Sequence, residues 1–88
     1  MAKVAMTFRL MPASPDYDFK DVKERIMAVL PSGSELRDIR IVPVAFGLSA
    51  AEVMIVCEDK GGIAEEIETA LSSLEGIESA SVQDLTLL

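Results

Sequence analysis

The sequence predicts an α+β sandwich: a four-stranded antiparallel sheet with two helices on one face. Three observations carry that reading. Four stretches alternate or cluster apolar residues as strands do, and two repeat them at helical spacing. Their order is β-α-β-β-α-β, with a hairpin at the centre. The chain has 88 residues, the size of one domain, so residues 1–88 are expected to form a single unit. Right-handed crossovers on either side of a central hairpin give the split-βαβ, ferredoxin-like arrangement.

Lys3 to Leu10 alternates, with Val4, Met6, Phe8 and Leu10 on one side and Thr7 and Arg9 on the other. Met11-Pro12-Ala13-Ser14-Pro15 is expected to break this strand, because proline removes a ladder donor. A helix follows. Asp18 is its expected N-cap and Asp21 adds charge to its first turn. Val22, Ile26, Val29 and Leu30 form its apolar stripe, Asp21 and Arg25 are spaced as an ion pair, and Pro31 and Gly33 stop it.

Glu35 to Val44 is the second strand. Ile39 and Ile41 share one face and Asp38 and Arg40 the other, while Pro43 implies an edge position or a bulge. Ala51 to Cys57 is the third, apolar on both faces at its far end, as an interior strand should be. Ile63, Ile67, Leu71 and Leu74 line the second helix, with Glu65, Glu66 and Glu68 outside and Gly76 as its C′ residue. Ile77 to Leu88 is the last strand. Ala80 and Val82 differ in phase from Leu85 and Leu87, so a bulge or a change of exposed face is expected near Asp84.

Composition excludes several function classes. A net charge of −7 and the absence of histidine argue against phosphate-backbone binding and against the usual general base. The sheet offers no outward aromatic pair for RNA stacking. No stretch reaches the roughly 20 apolar residues of a membrane span, and the lone Cys57 suits a reducing cytosol. Cys57 and the methionines, including Met6, Met27 and Met54, are expected to fill the core. Asp16, Asp18 and Asp21 lack calcium-loop spacing and read as a helix start. No catalytic residue, metal or cofactor is expected.

The informative feature is the connection Phe46-Gly47-Leu48-Ser49 between the second and third strands. Connections are usually polar. This one carries Phe46 and Leu48, with Gly47 free to take a positive φ. Either the two side chains fold back onto the core, or Phe46, Gly47 and Leu48 anchor a partner protein.

Val42-Pro43-Val44-Ala45-Phe46-Gly47-Leu48, followed by an apolar strand closing in Cys57-Glu58-Asp59-Lys60, resembles the exchange domain of the translation elongation factor 1-beta family. Met11-Pro12 and Ser81-Val82-Gln83 fall in matching order, and the overall length looks like the archaeal form. The resemblance implies the ferredoxin-like fold and a non-enzymatic, cytoplasmic role in releasing GDP from the GTPase elongation factor 1-alpha. It implies a monomer when free, with no direct contact to nucleic acid or membrane. Eukaryotic members place a lysine near the magnesium site; Leu85-Thr86-Leu87-Leu88 has none, so that device does not carry over. The alternative is a small-ligand-binding regulatory domain of the same fold, which predicts a dimer and stabilisation by a metabolite.

Overall fold

The computed structural model describes residues 2–45 and 47–88. The elements are β1 (Lys3–Pro12), α1 (Val22–Val29), β2 (Glu35–Ala45), β3 (Leu48–Glu58), α2 (Ile63–Ser72) and β4 (Ile77–Leu87). They form one antiparallel sheet in the order β2-β3-β1-β4. That is the α+β, ferredoxin-like sandwich. The helices lie on one face, α1 over the β2 side and α2 over β4 and β1.

Alternation along β1 and β3 produces the core. Val4, Met6, Phe8 and Leu10 stand opposite Cys57, Ile55, Val53 and Ala51, and all eight are buried. Ile26 from α1 and Ile67 and Leu71 from α2 close over them. Burying a side chain such as Phe8 contributes roughly 2–3 kcal/mol. The opposite face is mixed, with Met54 exposed beside charged side chains. Arg40, Glu52 and Arg9 form a row across β2, β3 and β1, and Arg9 Nη2 donates to Glu52 Oε2 at 2.9 Å. A half-exposed pair of this kind contributes at most about 1 kcal/mol.

Several expectations are corrected. β1 continues through Met11 and Pro12, which pair with Ser79 and Ile77. The proline sits at the last position beside a register shift, where its missing N–H costs little. Asp18 does not cap α1: its carboxylate accepts the Lys20 amide at 2.9 Å, closing a turn before the helix, and Asp21 occupies the N-cap without a side-chain bond. The Arg25 guanidinium turns to other partners than Asp21. It donates to the carbonyls of Glu75 and Asp18 and lies 5.2 Å from the Tyr17 ring centroid. Met6 is buried, but Met27 and Met54 are exposed. β3 begins at Leu48, three residues ahead of the expected Ala51, because β2 continues to pair with it there.

The bulge expected near Asp84 falls one residue earlier. Thr7 pairs with Asp84 and Phe8 with Val82, so Gln83 is the extra residue. β2 is an edge strand carrying Pro43, and β3 is interior.

Gly76 is not the C′ residue of α2. The helix stops at Ser72, where the Ser73 hydroxyl donates to the Ala70 carbonyl at 2.6 Å. Gly76 serves the next turn, closed by the Ile77 amide on the Leu74 carbonyl at 3.1 Å. Its φ of +85° and the Tyr17 ring, whose Cδ1 lies 2.7 Å from where a Cβ would stand, both exclude a side chain.

Gly76→Ala is therefore expected to cost about 2 kcal/mol or more, from left-handed strain plus displacement of Tyr17. Gly33→Ala has a similar φ of +87° but open space around it, and should cost only about 1 kcal/mol. Urea midpoints check the difference; equal losses would remove Tyr17 from the account. Cys57 supplies a second prediction. Burial, then the nearby Asp59 charge, push its thiol above the ordinary 9.0, with Lys60 opposing. Above 9.0 the unfolded chain loses the proton that the folded chain keeps, so this contribution is whole at lower pH and declines as pH rises. Cys57→Ala should therefore soften the loss of stability in urea as pH is raised through and beyond 9.0.

Candidate functional site

The apolar connection singled out in the sequence closes a long ribbon. β1 pairs with β3 only as far as Leu10 opposite Ala51. Beyond that point Val42, Pro43 and Ala45 pair with Ala50, Ser49 and Leu48. From Ala50 outward the β2–β3 hairpin thus pairs as two strands without β1, which itself continues to Pro12 against β4. Strands of 11 residues each span about 36 Å, and the molecule measures 42 × 21 × 18 Å.

Ala45 and Leu48 are register partners, so the connection comprises residues 46–47, shorter than the expected four-residue loop. Gly47 is exposed at φ +78° with nothing within 4 Å of a Cβ. Leu48 is half-buried and opens β3. Phe46 lies outside the described residues. Of the three expected anchor positions, the structure therefore places Gly47 at the turn and Leu48 on its strand.

The ribbon carries more apolar surface than the turn alone suggested. Ile41 is 47% and Val44 42% exposed, and Pro43 and Ala45 beside them are exposed as well. From Ile41 to Ala51 the sequence has no charged residue. That signal was readable in the sequence as a gap between Arg40 and Glu52, and it leaves the ribbon with exposed apolar surface and no charge. A register shift between Pro43 and Ala45 gives the ribbon a bulge, which raises its local twist.

Among the described residues, no three His, Cys, Asp or Glu side chains are placed to hold a metal ion. A hollow of about 530 Å³ is an open groove by the end of α1, lined by Lys23, Met27, Leu30 and the turn from Pro31 to Leu36. It lies away from the ribbon and gathers Lys23 and Glu35 as its charged groups. No helix among the described residues is long and apolar enough to cross a membrane.

Comparison with known proteins adds to this geometry. The family described as EF-1 guanine nucleotide exchange domain matches residues 5–88. The elongation factor 1-beta of Methanosphaerula palustris is 44% identical over 87 residues, covering 99% of both chains. Those of Methanothermobacter thermautotrophicus and Archaeoglobus fulgidus are 41% and 39% identical, the first covering 100% of this chain and 99% of its own, the second 100% of both. Among solved structures, the C-terminal domain of the MgtC protein from Mycobacterium tuberculosis superposes with a TM-score of 0.64, covering 93% of this chain and 86% of that one. At 14% identity it shares the fold alone. A match that runs from the first strand through the last, with relatives aligned end to end, places the hairpin inside a known design: the chain belongs to the EF-1 guanine nucleotide exchange domain family, and its function is guanine-nucleotide exchange in translation elongation.

Proposed function

We propose that residues 1–88 act as one exchange domain on the GTPase elongation factor 1-alpha, docking through the hairpin with Phe46, Gly47 and Leu48 as the anchor. The observation that carries the reading is the uncharged ribbon from Ile41 to Ala51, whose outer part pairs as two strands without β1, together with the family match over residues 5–88. An aromatic side chain at the tip of an apolar projection is the usual form of a binding hot spot. Ile41, Pro43 and Val44 supply further exposed apolar surface along the ribbon.

The thermodynamics of exchange is linkage. A factor that binds the nucleotide-free GTPase more tightly than the GDP form lowers GDP affinity by the same factor. A magnesium ion tolerates only near-octahedral geometry, so a small displacement of its ligands on the GTPase weakens the bound nucleotide. No covalent step is needed, and the protein acts as a non-enzymatic cytoplasmic monomer. The perturbation is delivered either by another group of this chain or by distortion of the GTPase's switch and phosphate-binding segments.

Release of labelled GDP from elongation factor 1-alpha tests the proposal. The chain should accelerate release, and no acceleration at saturating concentration overturns it. Phe46→Ala should raise the half-saturating concentration by roughly 30-fold, the equivalent of about 2 kcal/mol. Val44→Asp should weaken docking in the same direction while the circular dichroism spectrum stays unchanged, because Val44 is already exposed.

A further inference from the structure

The sheet has two edges, and they are treated differently. β2 is blunted against strand addition. It carries Pro43, register shifts between Leu36 and Asp38 and between Pro43 and Ala45, and the charged side chains of Glu35, Arg37, Asp38 and Arg40. β4, the opposite edge, has no proline and no Lys or Arg along its 11 residues. The Leu88 amide donates to the Lys3 carbonyl at 2.9 Å. Antiparallel alternation then turns the amide and carbonyl groups of Leu85 and Leu87 away from β1, toward the open edge.

The side chains beside those free groups are apolar and uncovered. Val82 is 41%, Leu85 51% and Leu87 66% exposed. All three oppose core residues of β1, namely Phe8, Met6 and Val4. They therefore sit on the helix-bearing face, where α2 leaves them bare. Charge completes the pattern. Six of the fifteen acidic residues and none of the eight basic ones lie in residues 61–88. Glu65, Glu66 and Glu68 on α2 and Glu78 and Asp84 on β4 give this side of the molecule a negative potential.

We propose that the free edge of β4 is a second protein-docking surface, which takes a basic extended segment of a partner as a fifth strand. The partner's main chain bonds to Leu85 and Leu87. Its apolar side chains cover Val82, Leu85 and Leu87, and its lysine or arginine side chains lie beside Asp84 on the other face. The acidic α2 steers the segment in. This site is separate from the hairpin and does not depend on which GTPase the hairpin meets.

The test uses a synthetic peptide of about nine residues alternating Lys and Val, long enough for one strand. Amide resonances are followed by NMR in the intact chain. The expected result is shifts and slowed hydrogen exchange centred on Leu85 and Leu87, with a Kd of about 1 mM or tighter. Binding should weaken by about tenfold between low and high salt. Leu85→Glu, at an exposed position, should abolish it, while Phe46→Ala leaves it intact. No shift at β4, equal shifts with a peptide alternating Glu and Val, or shifts confined to the helices would each overturn the proposal. So would sedimentation of the free chain as a dimer that Leu85→Glu dissociates, since a second copy would then fill the edge.

Discussion

The packing of β1 against β3 is the constraint on which the rest of the molecule depends. Four residues from each strand face the helices in strict alternation and are buried. A one-residue slip would send all of them to the opposite face, so the register is tightly specified. That register decides where β1 stops supporting β3, and hence how much of the hairpin pairs without it. The two-stranded part of the hairpin follows from where β1 and β3 part. β3 runs from Leu48 to Glu58, while its pairing with β1 ends at Ala51, so Leu48, Ser49 and Ala50 pair with β2 alone.

A second theme is the segregation of charge and apolar surface. The hairpin is uncharged from Ile41 to Ala51, whereas residues 61–88 carry only negative charge. The face of the sheet away from the helices holds the mixed row of Arg40, Glu52 and Arg9. Three surfaces of different character therefore surround one small core. A domain of this size has little interior to spare, and its exposed apolar side chains fall largely at strand ends and edges.

Much of this was legible in the sequence. Period-two alternation in β1 and the stripe of Ile63, Ile67 and Leu71 identified the core, because burial on one face imposes a period that composition cannot hide. Pro43 correctly marked an edge, and the phase change in β4 marked a bulge. Local polar chemistry was less legible. Asp18 had the right residue type for an N-cap, but the Tyr17, Arg25 and Gly76 cluster decides where the chain enters α1, and that contact joins residues far apart in sequence. The exposure of Met27 and Met54 was hidden for a related reason: apolar character alone does not say which face a helix or sheet covers. At the site, the turn was visible but the bare flanks of the ribbon were not, since Ile41 and Val44 lie on the edge strand β2, and that position is set by the tertiary strand order.

The extra residue at Gln83 has an evolutionary consequence. It lets Ala80 and Val82 on one side and Leu85 and Leu87 on the other reach the same face of the sheet despite opposite parity in sequence. Removing that one residue would restore a regular ladder and still keep the apolar set in phase. Length variation of a single codon is thus tolerable at this point, whereas the same deletion in β1 would invert its whole buried row.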